Sequence, residues 1–452
     1  MNKTGHYSLF MGAEQNSLRI GFSTLGCKVN QCDTTALAGD FEKRGCRIVP
    51  FGKPADIYII NTCTVTAYAD AQARQLIRKA KRANPSARII VTGCLAQTRP
   101  EEVAAVDGVS LIVGNDQKHQ LFDLLKLNET PEKAAPRDDG PHKTPFLSAP
   151  AATHSGRTRA FFKIQDGCDA FCTYCIVPYA RGRSRSLPAG EVLRGAQACV
   201  DLGFREIVLT GIHLGHYGHD LSSNPNLTAL LEKLLTLHPA IRFRLSSIEP
   251  NEISQELIAL FGRHANLCPH LHIPMQSGDA CVLKRMNRTY SPAQYRRAVE
   301  DAVSAVPDIA IGADVMVGFP GESDQAFDRT VSLLFDLPVA YLHVFPYSER
   351  PKTEAASLEP KVPEKIKKER AAILRRLSDQ KREAFSRRFI GRTLSVLVEQ
   401  TRDKKTGLAR GFSLNYLPVV LDDVNILRGN QVVDVRAQHY ESGKLYGRLQ
   451  HG

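Results

Sequence analysis

At 452 residues, 43% hydrophobic and 23% charged, the chain is too long for one ordinary core and is expected to form two or three globular domains. It contains no run of about eighteen apolar residues, and Met1–Ile20 lacks a long apolar stretch and a small-residue cleavage site. That argues against a membrane span or signal peptide and for a cytoplasmic protein. The formal charge of +12 favours an anionic partner, and eleven cysteines at irregular spacing suit metal binding better than a disulfide framework.

Residues 18–126 alternate short apolar runs with amphipathic segments. Leu18–Thr24, Cys46–Phe51, Ala55–Thr62, Ala87–Gly93 and Val109–Asn115 read as strands, while Asp70–Asn84 has helical spacing. This pattern predicts an open, mostly parallel, Rossmann-like α/β domain. Residues 127–157 turn rich in Pro, Ala and charge and read as an interdomain linker. A second βα series spans residues 158–388, with strands expected at Phe161–Gly167, Arg205–His213, Phe243–Glu249, Leu271–Ser277, Ile309–Phe319 and Ala340–Ser348. Six such units predict a partial (β/α)6 barrel, open on one side and closed by a basic helix over Pro363–Arg388. Residues 389–452 carry short β-type runs at Thr393–Gln400, Ala409–Leu421 and Gln431–Tyr440, as expected for a small antiparallel β-barrel or sandwich.

Cys168, Cys172 and Cys175 form C-x-x-x-C-x-x-C directly after the first barrel strand. Three thiolates on one loop can hold three irons of a [4Fe–4S] cube and leave the fourth open. S-adenosylmethionine (SAM) can chelate that iron, and one electron then releases a 5′-deoxyadenosyl radical. Barrels of this kind build active sites from loops at the carboxyl ends of their strands, which is where the motif falls. A structural zinc would need a fourth nearby ligand, and Cys199 and His213 are not at zinc-ribbon spacing. Tyr174, inside the motif, is placed to touch the adenine of SAM.

Cys27, Cys63 and Cys94 lie thirty-six and thirty-one residues apart, about one βα unit each, and each follows a predicted strand. They should converge at the ligand-binding edge of the sheet as a second three-cysteine cluster, the alternative being three buried thiols acting as small hydrophobes. Cys32, Cys46, Cys199, Cys268 and Cys281 read as structural. His213, His216 and His219, interrupted by glycines, read as loop residues, and Gly318–Glu322 as a turn because it lacks the Lys-Ser/Thr of a phosphate loop. Between Lys361 and Arg410 stand sixteen Lys or Arg against six Asp or Glu, either a solvated helix face or a phosphate-tracking surface.

Taken together, Ser23–Gln31 (STLGCKVNQ), Asn61–Thr66 (NTCTVT), Gly93–Gln97 (GCLAQ) and Lys163–Ser186 (KIQDGCDAFCTYCIVPYARGRSRS) resemble the methylthiotransferase family of radical SAM enzymes. Gly391–Gln400 and Gly411–Val419 are similar to its RNA-binding TRAM domain. The resemblance covers nearly the whole chain. It implies two [4Fe–4S] clusters on Cys27, Cys63 and Cys94 and on Cys168, Cys172 and Cys175. It also implies SAM as cofactor, tRNA as partner, and an electron donor such as a flavodoxin or ferredoxin. Tyr174, Arg181, Ser247, Glu249, Gln276 and Asp314 are the expected SAM contacts, while Phe412, Asn415 and Tyr416 are candidate RNA contacts, with a core position the alternative for Phe412. LGCKVNQ, His272–Gly278 and Leu342–Ala355 are most similar to the branch that acts on N6-threonylcarbamoyladenosine next to the anticodon. The alternatives are isopentenyladenosine in tRNA, a ribosomal protein, or a non-enzymatic iron–sulfur protein that binds RNA or transfers electrons. Cys32, where a tyrosine is expected, and Pro351-Lys352-Thr353, where Pro-Gly-Thr is usual, depart from the pattern.

Overall fold

The computed structural model describes residues 17–125, 146–147, 157–222, 225–422 and 427–450. The predicted linker at 127–157 lies, but for residues 146, 147 and 157, outside the described residues. The chain separates into two compact units, the first built from the N-terminal part plus Tyr179–Arg181, the second from the remainder. No helix among the described residues is long and apolar enough to cross a membrane.

In the first unit β1 (Arg19–Thr24), β2 (Arg47–Val49), β3 (Ile57–Thr62), β4 (Arg88–Gly93) and β5 (Val109–Val113) form one sheet in the order β2-β1-β3-β4-β5. All its pairings are parallel. The central β3, IYIINT, is buried at every position, as a parallel strand covered on both faces must be. Helices Lys28–Lys43 and Ala67–Ala83 cross over between strands, and Thr66 starts the second by accepting a hydrogen bond from the Ala69 backbone N–H at 3.2 Å.

The second unit contains the expected βα series: β6 (Ala160–Lys163), a short antiparallel pair β7 (Gln165–Asp166) and β8 (Arg185–Ser186), then β9 (Glu206–Thr210), β10 (Arg242–Leu245), β11 (His270–His272), β12 (Ala310–Val317) and β13 (Tyr341–Pro346). Two parallel runs, β10-β9-β6 and β11-β12-β13, are joined through the bridges Phe243↔Leu267 and Ser247↔His272. This gives an open, six-stranded partial barrel. The helix Glu364–Arg387 packs on β13, where Ser378 Oγ accepts from the Leu342 backbone N–H at 2.9 Å. Gly318–Glu322 forms a turn in which the Glu322 carboxylate accepts from the Gly318 N–H at 2.8 Å.

The same unit ends in a closed five-stranded barrel of β14 (Thr393–Val398), β15 (Ala409–Ser413), β16 (Pro418–Leu421), β17 (Val432–Glu441) and β18 (Lys444–Leu449), ordered β14-β15-β16-β18-β17. Four pairings are antiparallel as expected, whereas β16 and β18 run parallel. A closed ring of five strands cannot alternate direction all the way round, so one parallel pair is unavoidable. The run Ala409–Leu421, expected as a single β segment, is two strands joined by a tight turn in which Tyr416 adopts φ +67°.

Candidate functional site

Cys27, Cys63 and Cys94 stand at the carboxyl ends of β1, β3 and β4, on one edge of the first unit's sheet. Two glycines permit this. Gly26 has φ +91°, and a Cβ there would meet the Cys63 Cβ and Sγ at 2.6 and 2.7 Å. Gly93 has φ +98°, and a Cβ would lie 2.4 Å from the Thr62 carbonyl oxygen, so only glycine lets β4 pass straight into the helical turn that presents Cys94. Asn30 ties the strand ends together by donating to the carbonyls of Leu25 (2.8 Å) and Thr62 (2.9 Å).

Behind these thiols lies a buried polar network. Lys118 Nζ pairs with Asp33 at 3.0 Å and donates to Asn61 Oδ1 at 3.2 Å. Arg181, expected among the groups that hold SAM, belongs to the first unit and donates to Asn30 Oδ1 and to Asp33 (3.1 Å). The buried Asp33 carboxylate draws it there. Two buried basic side chains thus share the Asp33 carboxylate beside the cysteines, and burial lowers Lys118 from its ordinary value. Burial, reinforced by the neighbouring thiols, pushes Cys63 up to about 12. Burial also raises Cys94, against the pull of Arg181, Lys118 and Asn115. Asn115 Nδ2 lies 3.8 Å from Cys94 Sγ, and its Oδ1 is buried without a hydrogen-bond partner among the described residues. Three free thiols converging beside two basic side chains suit an anionic iron–sulfur group.

In the second unit Cys168, Cys172 and Cys175 follow β7 on a loop fixed from residues 285–288. Thr173 N–H donates to the Met286 carbonyl at 3.1 Å and Thr173 Oγ1 to the Arg285 carbonyl at 2.8 Å. Asn287 donates to the carbonyls of Ala170 and Phe171. Two of the thiols have distinct basic neighbours. Arg288 Nη1 donates to Cys172 Sγ at 3.1 Å while its other nitrogen pairs with Glu249. His213 Nδ1 lies 3.6 Å from Cys168 Sγ, and its Nε2 lies 2.6 Å from Glu252. Burial alone would lower the His213 imidazole, but these two partners push it up to about 10. Cys175 is pushed up to about 12 by burial and then by Cys172. Three free thiols, two of them beside cationic groups, on a barrel's carboxyl-end loop again suit an iron–sulfur cluster with an open iron.

The remaining expected contacts are distributed along the barrel. Ser247 bridges to His272, and Gln276, at φ +60°, bridges to Val315. Glu249 pairs with Arg288. The Asp314 carboxylate accepts from His272 (2.8 Å) and His343 (3.3 Å). Tyr174 packs with Val282, Met286 and Phe319, its ring 6.4 Å from that of Phe319 and perpendicular to it. The histidine loop is a short turn over Leu214–His216, with His213 and His216 stacked at 4.0 Å. Arg288, Asn287 and Glu252 carried no signal in the sequence, since their partners lie up to 117 residues away.

Phe412, Asn415 and Tyr416, read as RNA-facing, are engaged inside the unit. The Tyr416 ring lies 4.8 Å from that of His270, and Asn415 donates to the Asp308 carbonyl at 3.2 Å. Arg159 lies 4.6 Å from the Phe412 ring centroid. Part of the basic stretch is structural too. Arg370 pairs with Glu322 and Asp324, and Lys381 caps the helix Asp324–Asp336 through the carbonyls of Phe335 and Leu337. Lys365, Lys368, Arg375, Arg376, Lys404 and Lys405 remain exposed.

Comparison with known proteins agrees with this geometry. Residues 162–334 match the Radical SAM superfamily, and residues 19–114 match Uncharacterized protein family UPF0004. The chain is 40% identical to the threonylcarbamoyladenosine tRNA methylthiotransferase MtaB of Aquifex aeolicus, over 84% of this chain and 93% of that protein. It is 34% identical to the tRNA-2-methylthio-N(6)-dimethylallyladenosine synthase of Syntrophus aciditrophicus, over 84% and 83% respectively. Among solved structures, the radical S-adenosylmethionine methyltransferase TsrM of Kitasatospora setae aligns with a TM-score of 0.57 at 13% identity, covering 75% of this chain and 77% of that one, which shows a shared fold. With both domain matches and relatives of this identity spanning most of its length, the chain belongs to the methylthiotransferase family of radical SAM enzymes.

Proposed function

We propose that the chain attaches a methylthio group to C2 of N6-threonylcarbamoyladenosine, next to the anticodon of tRNA, using SAM and two [4Fe–4S] clusters. The observation that carries this reading is the pair of three-thiol sets, each one ligand short of a closed site, in a chain 40% identical to a relative named for that substrate. Cys27, Cys63 and Cys94 would hold one cluster, and Cys168, Cys172 and Cys175 the other. We assign 18–126 to the first cluster's domain, 158–388 to the radical SAM core, and 389–452, a TRAM-like barrel, to RNA binding.

Adenine C2–H has no acidic proton and no leaving group, so acid–base and nucleophilic catalysis have little purchase on it. The cluster at Cys168 and SAM, when bound, supply one-electron chemistry equal to that bond. The chain's own groups prepare the site. Arg288, pinned by Glu249, keeps a cation against Cys172, and His213, pinned by Glu252, does so for Cys168. Lys118 and Arg181 complement an anionic, sulfur-bearing group at the other set. Tyr174, Ser247 and Gln276 are proposed to line the SAM site, and the exposed cations between Lys365 and Lys405 to meet phosphates. A cytoplasmic location and a flavodoxin or ferredoxin as reductant complete the reading.

Anaerobic incubation of the cluster-loaded protein with SAM, dithionite and tRNA tests it. 5′-Deoxyadenosine and S-adenosylhomocysteine should both form, and Cys168→Ala should abolish the first. A protein that carries both clusters and yields no 5′-deoxyadenosine would contradict the reading.

A further inference from the structure

Side chains alternate across a strand, so β12 and β13 each present one face to the covering helices and one to the barrel interior. On β12, Ile311, Ala313, Val315 and Val317 are fully buried, leaving Gly312, Asp314 and Met316 on the inner face. A Cβ on Gly312 would lie 2.3 Å from the Tyr341 ring, which puts Tyr341 on that face as well. His343 and Phe345 follow Tyr341 at alternate positions along β13, while Leu342 between them is buried on the side of the helix Glu364–Arg387. Below this level the interior is occupied by Tyr416, its ring 4.8 Å from that of His270 and tilted against it by 47°.

The inner face is therefore an ordered row with an exposed end. His272 Nε2 and His343 Nδ1 both meet Asp314 Oδ1, at 2.8 and 3.3 Å. The second nitrogen of His272 faces the Tyr341 hydroxyl at 3.4 Å, which in turn reaches His270 at 2.8 Å. Burial opposes ionisation of Asp314, yet the two imidazoles hold its carboxyl well below the usual range. The His272 side chain is 10% exposed and that of His343 is 52% exposed. His343 Nε2 has no hydrogen-bond partner among the described residues. Phe345, the next inward residue, is 44% exposed, with its ring 6.4 Å from the imidazole. A half-exposed aromatic ring and an imidazole whose far side is pinned by a carboxylate are unusual on an inner barrel wall, where close packing is the rule.

We propose that His343, positioned by Asp314, binds the carboxylate of the threonylcarbamoyl arm of the substrate nucleoside, with Phe345 against the apolar part of the arm. This rests on the substrate assigned above. An imidazolium bridging two carboxylates donates Nδ1–H to Asp314 and Nε2–H to the ligand, a charge-assisted bond at each end. An apolar isopentenyl arm offers nothing to Nε2 and would leave that donor unpaired, so the same residue selects one arm and disfavours the other.

Anticodon stem-loop RNAs carrying N6-threonylcarbamoyladenosine as the free acid or as its methyl ester test this against the cluster-loaded wild type, His343→Phe and His343→Gln. For the wild type, esterification should raise KM about ten- to a hundredfold with little change in kcat. In both variants KM for the free acid should rise by a similar factor, and free acid and ester should become equivalent. Using two variants guards against a folding defect in one. A variant that keeps the wild-type preference for the free acid overturns the assignment. So does a stoichiometric divalent metal, additional to cluster iron, that the wild type holds and His343→Gln loses, because His272, Asp314 and His343 would then be its ligands. A wild type that modifies neither RNA overturns the substrate reading itself, and this assignment with it.

Discussion

The Arg244 guanidinium lies 4.8 Å from the ring centroid of Tyr416 and donates to the carbonyls of Leu414 and Ser413, at 2.9 and 3.4 Å. Arg244 is on β10 and Tyr416 in the turn between β15 and β16, so the small C-terminal barrel inserts one of its turns into the base of the larger one. Two modules that the sequence presents as separate thus share part of a core, in which Ala310 and Ala340 pack with Leu394, Leu417 and Val435. Tyr416→Ala should remove the ring from both Arg244 and His270 and cost about 2–4 kcal/mol. Urea unfolding followed by circular dichroism should show the lower midpoint, and an unchanged midpoint would mean the turn is only apposed.

Arg244 also makes a bidentate pair with Glu206, a fully buried carboxylate. Burial by itself would raise Glu206, but Arg244 outweighs it and holds the group below its ordinary value of 4.5. The sign follows from linkage. A depressed carboxylate contributes stability that is fully present above pH 4.5 and is lost as pH falls through the lower folded-state value. Glu206→Gln leaves Arg244 buried and uncompensated, so at neutral pH it should lose about 3–5 kcal/mol. The gap between wild type and variant should narrow below pH 4.5 in thermal melts, and a gap that widens there would refute the pairing.

Arg288 touches Cys172 Sγ and is braced by Glu249, Tyr290 lying beneath its guanidinium at 4.9 Å. Arg288→Met keeps much of the length and removes the charge. Iron bound after anaerobic reconstitution should fall towards half, with the cluster of the first unit retained, as read by electron paramagnetic resonance of the reduced protein. Retention of both clusters at wild-type occupancy would show that the cation is dispensable there.

Affinity for tRNA should fall steeply with salt, by at least about tenfold between ~50 and ~200 mM, if the exposed cations meet phosphates. Replacing both Arg375 and Arg376, exposed on the helix Glu364–Arg387, should flatten the slope of log affinity against log salt. Glutamine at both positions and a filter-binding titration suffice. An unchanged slope would move the RNA surface elsewhere.

Cys27, Cys63 and Cys94 were legible because their spacing repeats the βα unit and a strand followed by Gly-Cys or Asn-Thr-Cys places a thiol at a sheet edge, and Cys168, Cys172 and Cys175 because they crowd one loop after a strand. The barrel strands were legible for the same reason of periodicity. What holds the cysteines was not. Arg288, Asn287 and Glu252 are ordinary polar residues whose partners are distant in sequence, and the pairing of Arg181 with Asp33 spans 148 residues. The contacts of Tyr416 with Arg244 and His270 were not legible either, because an aromatic on a small β-barrel reads equally well as an RNA platform or an internal contact. Its positive φ, which sets the turn that enters the larger barrel, is a conformation that a tyrosine does not advertise.

Methylthiolation of N6-threonylcarbamoyladenosine is read out by expressing the chain in a host stripped of its own methylthiotransferases and analysing the tRNA nucleosides by mass spectrometry. 2-Methylthio-N6-threonylcarbamoyladenosine should appear in the wild-type culture and be absent with Cys168→Ala. Unmodified N6-threonylcarbamoyladenosine in cells whose protein carries both clusters would contradict the proposed activity.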